Sequence, residues 1–127
     1  MMRILFLDDD DRRHKEFKRN SIGNLVDHAH NAAEAICLLR KKTYDRVYLD
    51  YDLTSDPMEM SMDDYESGCI VVKWVVENLQ PSQRTGFVIH SLNDTGSIEM
   101  LATLRAAGHK VHCKPWAWRF DPADLIG

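Results

Sequence analysis

The chain alternates short apolar runs with longer segments of helical pattern, and this alternation constrains its fold more than any other feature. The first run, Arg3–Leu7 (RILFL), is continuously apolar and stops at aspartates, which is typical of a strand buried on both faces. Runs of this kind predict five strands: Arg3–Leu7, a short strand beginning at Leu25, Arg46–Leu53, Phe87–Ser91 and Val111–Lys114. The segments between them predict four helices: Arg12–Asn20, Asn31–Lys42, Gly68–Gln80 and Ser97–Ala107.

Strands and helices that alternate in this way predict an α/β domain with a parallel sheet, right-handed crossovers and helices on both faces. The 127 residues are enough for one domain and not two, so we expect a single domain over 1–127. Residues 54–67 lack clear periodicity and are predicted to form an insertion after the third strand. The tail, residues 116–127, is too short and too broken by proline for a full fifth helix.

Charge and composition exclude several classes of protein. The net charge is -4, from 20 acidic and 16 basic residues, so nucleic-acid binding driven by bulk charge is not expected. No apolar run approaches the roughly 20 residues that cross a membrane, and the apolar start is too short for a secretory signal. The three cysteines include no CxxC pair, which disfavours a disulfide framework or a zinc site and favours the reducing cytoplasm.

Polar residues follow the apolar runs, and the carboxyl ends of parallel strands meet at one edge of a sheet. Asp8, Asp50, His90 and Lys114 lie at or near the ends of four predicted strands, so we expect them at one rim. The acidic residues concentrate in 8–11 and 45–66, where their carboxylates would repel one another unless a cation lay between them. Two solvated acidic loops are the alternative that composition alone leaves open.

Several segments in this order resemble a receiver domain, the phospho-accepting module of two-component response regulators. RILFL with Asp8-Asp9-Asp10 is similar to its first strand and acidic pair, and YDRVYLD, ending at Asp50, is similar to the strand that presents the acceptor aspartate. VDHAHNAAEAI resembles the second strand and helix entry, and Lys114-Pro115 resembles the family's Lys-Pro pair. The resemblance covers about residues 3 to 118 and implies a three-layer, flavodoxin-like domain with a five-stranded parallel sheet in 2-1-3-4-5 order.

The chain departs from ordinary receivers in ways that resemble a narrower family, the cyclic-phosphate processing receivers. Extra residues separate Asp50 from Gly68, the fifth helix is missing or truncated, and a His-Ser-x-Asn sequence begins at His90. Together with Asp52 and Trp74, these features suggest that family. It is found in prokaryotic and viral (phage) conflict systems and is inferred to act on cyclic or nucleotide phosphates.

The receiver resemblance implies a metal site and a nucleophile. Asp8 and Asp9 would hold Mg²⁺ or Mn²⁺ together with Asp50, and the carbonyl of Asp52 would be a further ligand. Whether Asp9 or Asp10 points inward is left open at this stage. Asp50 would be the phosphoacceptor, or the nucleophile of a hydrolytic reaction.

Other rim residues complete the predicted catalytic set. By resemblance, Ser91 would take the place of the family's Ser/Thr and Lys114 would grip a phosphoryl oxygen. Hydrolysis of a phosphodiester also needs a proton for the departing alkoxide. His90, with an unperturbed pKa near ~6.5, and Asp52, on the same side of an extended strand as the nucleophile, are candidates. Asn93 is predicted to contact substrate, and a buried, hydrogen-bonded histidine is the alternative for His90.

We therefore predict a metal-dependent phosphoesterase on a receiver scaffold that acts on cyclic or nucleotide-like phosphates, with a small phosphorylated molecule as its partner. The alternative is a non-catalytic module, either a stand-alone phospho-receiver or a protein that sequesters a nucleotide. The D-x-D-x-T motif in Val47–Thr54 also suggests a haloacid-dehalogenase phosphatase, but that family carries it on the first strand. His28 and His30 alternate at a strand end and suggest a metal site, with a polar loop as the preferred interpretation.

Overall fold

Strands and helices alternate along the chain as predicted, in a computed structural model that describes residues 1–53, 67–81, 85–90 and 94–114. The strands are β1 (Arg3–Leu7), β2 (Leu25–Ala29), β3 (Arg46–Leu49), β4 (Gly86–Ile89) and β5 (Lys110–Cys113). The helices of the described ranges are α1 (Asp11–Asn20), α2 (Ala32–Lys41), α3 (Gly68–Asn78) and α4 (Asp94–Ala106). All strand pairs are parallel in the order β2-β1-β3-β4-β5, which confirms the predicted flavodoxin-like fold.

The sheet is buried on both faces because alternate side chains of each strand point to opposite sides. The larger core joins one face to α2, α3 and α4, and its strand residues are Leu5, Leu7, Ala29, Val47, Leu49, Phe87, Ile89 and Val111. The smaller core lies beneath α1, whose Phe17 stacks on Phe6 with ring centroids 4.3 Å apart. Its buried members are Ile4, Phe6, Phe17, Tyr48 and Val88.

Side-chain caps fix where the first two helices begin. The Asp10 carboxylate accepts a hydrogen bond from the backbone N–H of Arg12 at 2.9 Å and caps α1. Asn31 caps α2, as its position predicted, by accepting from the backbone N–H of Glu34 at 2.8 Å. Because Asp10 caps a helix, Asp9 is left as the second aspartate of the strand-end cluster.

β3 and β4 end earlier than predicted, at Leu49 and Ile89, whereas β2 begins at Leu25 as predicted. β2 continues to Ala29, since it pairs with β1 along its whole length despite its polar residues. β3 ends at Leu49 rather than Leu53, because the chain turns where α3 docks. The carbonyl of Tyr51 accepts a hydrogen bond at 2.7 Å from the backbone N–H of Gly68, the first residue of α3. The end of β3 therefore lies directly against the start of α3.

Several predictions fall outside the described residues. They concern most of the insertion (54–66), the tail with its missing or truncated fifth helix (115–127), Ser91 and Asn93. Within the described ranges, no helix combines the length and the apolar character needed to cross a membrane.

Candidate metal centre

The register of the sheet brings the residues that follow four strands into one row. Leu7 pairs with Leu49, Leu49 with Ile89, and Ile89 with Cys113. The residues that come next along these strands therefore lie at the same level: Asp8, Asp50, His90 and Lys114. This row is at the edge where the carboxyl ends of parallel strands meet, which is the usual ligand-binding edge of such sheets.

Asp8, Asp50 and His90 converge on one small space at this edge. One ligand atom of each lies within 4.8 Å of the corresponding atoms of the other two. All three side chains are buried, and Asp8 and His90 are 0% exposed. The Oδ1 atom of Asp8 accepts from the backbone N–H of Asp10 at 2.8 Å, and Oδ1 of Asp50 accepts from that of Tyr51 at 3.0 Å. Each carboxylate is thus oriented by a backbone donor.

Arg13 of α1 places a positive charge beside the two buried carboxylates. Its Nη1 atom lies 3.1 Å from Oδ2 of Asp8 and 3.8 Å from Oδ2 of Asp50. The sequence reasoning missed this residue. The available signal was its position in the first turn of a helix that starts at the rim, because helical side chains point back toward the N-terminus.

Burial raises the pKa values of the carboxyl groups around this space. Burial, together with the negative charge of Asp8, raises the pKa of Asp50 to about 8. Burial also raises the pKa of Asp8, and burial followed by the charge of Asp8 raises that of Asp9. These three carboxyl groups surround one nearby guanidinium, so a further positive charge would lower their pKa values and keep all three ionised.

The side chains present fit a divalent cation. Asp8 and Asp50 offer the carboxylate oxygens that Mg²⁺ and Mn²⁺ prefer, and Asp9 is a third, half-buried carboxylate beside them. The nitrogen of His90 is a ligand that Mn²⁺ accepts more readily than Mg²⁺ does. The metal role of Asp8, Asp9 and Asp50 remains a prediction, and His90 joins the set as a neighbour that the sequence reasoning had not given a metal role.

His90 has the environment of a neutral, buried histidine. Its ring stacks on Phe6 with centroids 4.9 Å apart, and Nε2 donates to the carbonyl of Leu7 at 3.1 Å. Its Nδ1 atom lies 3.6 Å from Oδ2 of Asp8. Burial lowers the pKa of His90 to about 3, below the ordinary value assumed from the sequence, while its catalytic role stays a prediction. The alternative, a buried and hydrogen-bonded histidine, fits this position.

Asp52 and Lys114 lie at the same edge in different settings. Asp52 is exposed and forms an isolated antiparallel bridge with Ser67, so it does not extend β3 as the strand argument expected. Lys114 follows β5, two strands from β3, and its backbone N–H donates to the carbonyl of Ile89 at 2.8 Å. The structure therefore brings Lys114 to the predicted rim and leaves Asp52 on the surface beyond it.

Gly68 allows α3 to start against the backbone of Asp50. A Cβ atom at this position would collide with the Asp50 carbonyl and lie 2.7 Å from Cε of Met100. A backbone carbonyl cannot give way as a flexible side chain can, so a larger residue here would displace Asp50 itself. The position of Gly68 in the sequence was noted, but its contact with the site residue was not foreseen.

A doubly wound sheet in this strand order, with a buried aspartate at the ends of both β1 and β3, defines a receiver domain. A family model described as the cyclic-phosphate processing Receiver domain matches residues 3–106. The chain belongs to this family, as the resemblance predicted. No curated protein matches the chain.

Solved structures similar to this chain are response-regulator proteins. The response regulator TrrA of Thermotoga maritima, in complex with Mg²⁺-BeF, is 20% identical with a TM-score of 0.69 over 98% of this chain and 94% of that one. The non-phosphorylated HemR receiver domain of Leptospira biflexa is 20% identical with a TM-score of 0.67, over 98% and 88% of the two chains. A CheY-like receiver domain protein of Methanospirillum hungatei is 19% identical with a TM-score of 0.63, over 93% and 85%. At these identities the likeness shows a shared fold.

Proposed function

We propose that this receiver domain is a metal-dependent phosphoesterase acting on cyclic or nucleotide-like phosphates. The observation that carries the proposal is the buried pair of Asp8 and Asp50, whose Oδ2 atoms both face Arg13. Phosphoryl transfer depends mainly on alignment and on neutralising the charge of the phosphoryl oxygens, and this edge of the sheet has groups of both kinds. Membership of the cyclic-phosphate processing family supports a cyclic phosphate as the substrate.

Each side chain has a distinct part in the proposed reaction. Asp8, Asp9 and Asp50 would hold Mg²⁺ or Mn²⁺, which supplies Lewis-acid polarisation of the phosphate and activation of water when it is bound. Asp50 acts as the nucleophile or as the carboxylate that orients the attacking water. Arg13, which already faces both carboxylates, contributes charge to a phosphoryl oxygen.

The departing alkoxide needs a proton from a group other than His90, because that ring is neutral and its Nε2–H is held by the carbonyl of Leu7. Asp52 is the exposed candidate at this edge, and a water molecule is the alternative donor. The Nδ1 atom of the neutral His90 ring then carries a lone pair 3.6 Å from Oδ2 of Asp8, and we propose that it faces the same cation as that carboxylate. Lys114, which follows β5, is proposed to bind a phosphoryl oxygen through its positive charge. Ser91 and Asn93 are proposed to contact the phosphate or the substrate.

The test is incubation of the protein with Mg²⁺ or Mn²⁺ and a panel of cyclic nucleotides and small cyclic phosphates, followed by phosphorus NMR. The expected result is conversion of a cyclic diester to a monoester that a chelator abolishes and that Asp50→Asn lowers by about 100-fold or more. Glu77→Gln, an exposed acid on α3, is the matched control and should keep full activity. A folded, metal-loaded wild type that converts nothing in the panel would contradict the proposal.

A stand-alone phospho-receiver is the second candidate, and the likeness to TrrA in complex with Mg²⁺-BeF favours it. In that case acetyl phosphate or beryllofluoride should modify or occupy the Asp50 site, and no cyclic diester should be consumed. A ligand recovered intact from the protein would instead support sequestration of a nucleotide. The Asp50→Asn variant separates sequestration from the two other functions, because the phosphoesterase and the phospho-receiver both require the Asp50 carboxylate and sequestration does not.

A further inference from the structure

Three histidines meet where α1 crosses the sheet edge formed by β2. His28 lies in β2 and His30 follows that strand, so their side chains lie on the same face, and His14 comes from α1 above them. The ring centroids of His14 and His28 are 4.8 Å apart, and those of His14 and His30 are 4.1 Å apart. This histidine cluster is separate from the Asp8, Asp50 and His90 group and has no part in the proposed reaction.

The hydrogen bonds of His14 fix which of its nitrogens is available to a ligand. Nε2 lies 2.7 Å from the backbone carbonyl of Asp8 and must donate to it, because a carbonyl only accepts. In the neutral ring, Nδ1 therefore carries a lone pair, and it lies 2.6 Å from Nδ1 of His28. Two ring nitrogens at this distance share one proton, which lies between them. A metal ion could replace that proton and bind both nitrogens.

The pKa values of His14 and His28 are lowered, which favours the neutral form that binds metals. Burial lowers the pKa of His14, which is only 6% exposed. Burial, followed by the neighbouring charges of His14, His30 and Lys18, also lowers the pKa of His28.

Two carboxylates hold His30 in the way that acidic groups orient metal-binding histidines. Its Nε2 atom lies 3.1 Å from Oδ1 of Asp11. Its Nδ1 atom lies 3.6 Å from Oε1 of Glu34, an oxygen that already accepts from the backbone N–H of His30 at 2.9 Å. The His30 side chain is 45% exposed, and both of its nitrogens face these carboxylates, so metal binding requires the ring to turn toward the two other histidines.

We infer that His14, His28 and His30 form a binding site for a divalent transition-metal ion that prefers imidazole, such as Zn²⁺, Co²⁺ or Ni²⁺. The ion replaces the proton between the two Nδ1 atoms, that proton moves to Nε2 of His28, and no proton is lost overall. Nitrogen–metal distances of about 2.0–2.1 Å require the two Nδ1 atoms to move apart and the His30 ring to swing in. Asp11 or a water molecule would be the fourth ligand of the metal ion.

The nature of the donors separates this site from the acidic one at the strand ends. Three imidazoles suit Zn²⁺, Co²⁺ and Ni²⁺, whereas carboxylate oxygens suit Mg²⁺ and Mn²⁺. His14 connects the two sites, and its Nε2 atom donates to the backbone carbonyl of Asp8 rather than to the carboxylate. Saturating Mg²⁺ should therefore leave the histidine cluster open to Zn²⁺.

The test is calorimetric titration of the untagged, chelator-treated chain with Zn²⁺ in the presence of excess Mg²⁺. We expect wild type to bind one equivalent, and His28→Gln and His30→Gln to bind at least ~100-fold more weakly. Nitrogen NMR of the imidazoles should show metal at Nδ1 of His14 and His28, with the Nε2 proton of His14 retained. Circular dichroism of each variant establishes that it is folded.

Three controls decide between this cluster and other zinc ligands. His112→Gln, a half-buried histidine of β5, and Asp50→Asn should both leave the zinc affinity unchanged. The double variant Cys37→Ser/Cys113→Ser, which removes two exposed thiols, should also bind normally. Absence of zinc binding in wild type, or binding that survives in His28→Gln and His30→Gln but is lost in Asp50→Asn or the cysteine variant, would overturn the inference.

Discussion

Asp8 and Asp50 occupy equivalent positions at the ends of neighbouring strands, since the residues before them, Leu7 and Leu49, are paired in the sheet register. Both carboxylates are buried, and Oδ2 of each faces the same guanidinium nitrogen of Arg13, at 3.1 and 3.8 Å. A pair of buried acids with one shared cation is stable only if one acid takes up a proton or another cation binds. Four consequences of this relationship can be measured.

The stability of the metal-free protein should fall as the pH rises from about 7.5 to 8.5, because of the Asp50 carboxyl group. The pKa of Asp50 is raised from 3.8 to about 8, so the folded state binds a proton that the unfolded state has released, and raising the pH removes that advantage. The slope should approach about 1.4 kcal/mol per pH unit at most. Histidines with lowered pKa values add a slope of the opposite sign, which fades by about pH 7.5, where the unfolded state has lost nearly all of their protons.

Denaturant unfolding with a chelator present measures this dependence. Asp50→Asn should flatten the dependence of the unfolding free energy on pH and should be more stable than wild type at pH 8. Added Mg²⁺ should restore the stability of the wild type at that pH. A wild-type slope equal to that of the variant would mean that the carboxyl group of Asp50 is ionised without a metal.

Arg13→Gln should strengthen Mg²⁺ binding and weaken phosphate recognition. The guanidinium competes with a metal ion for Oδ2 of Asp8, so its removal should raise the metal affinity by about tenfold, or ~1.4 kcal/mol. The substrate should lose a charged partner at the same time. Calorimetry with Mg²⁺ and with inorganic phosphate checks both effects, and Arg12→Gln, whose side chain is 93% exposed, is the control. Unchanged metal affinity in Arg13→Gln would show that the arginine does not compete for the site.

Asp9→Asn and Asp10→Ala should separate the roles of the two aspartates after Asp8. Asp9→Asn is expected to weaken Mn²⁺ binding. The charge of Asp8 raises the pKa of the Asp9 carboxyl group, which shows that the two carboxyl groups interact and that one cation could neutralise both. Asp10→Ala should lower the free energy of unfolding by about 1 kcal/mol through loss of the α1 cap, with little effect on the metal. The reverse pattern in Mn²⁺ titration and urea unfolding would assign the metal to Asp10.

Gly68→Ala should damage the site through the backbone of Asp50. The added methyl group would collide with the Asp50 carbonyl, so we expect destabilisation of about 1–3 kcal/mol and weaker Mg²⁺ binding. Gly86→Ala is the matched control, because its Cβ would meet only the Arg46 side chain at 3.5 Å. Equal effects of the two substitutions on metal affinity would remove Gly68 from the account.

The fold was predictable because its signals are local. Apolar runs that stop at acids, and helix starts such as Asn31, are each written in a few neighbouring residues. The end of β3 was not predictable in this way, because it is set by the docking of Gly68 from a distant helix. The pattern of Arg46–Leu53 continues past the point where the strand ends.

The candidate site was predictable in its residues more than in its chemistry. Parallel topology brings Asp8, Asp50 and His90 to one edge, and strand-end positions in the sequence are enough to expect this. Burial of His90 beneath α1 and the reach of Arg13 depend on packing between elements distant in sequence, which no local pattern records. Full burial is also what changes His90 from an expected acid into a neutral ring.

Titration of the chelator-treated chain with Mn²⁺ tests most directly whether the two buried aspartates hold a metal ion. The expected result is one equivalent bound by wild type and by Glu77→Gln, with binding lost in both Asp8→Asn and Asp50→Asn. Mn²⁺ that binds Asp50→Asn as tightly as wild type, or that does not bind the folded wild type at all, would contradict the account.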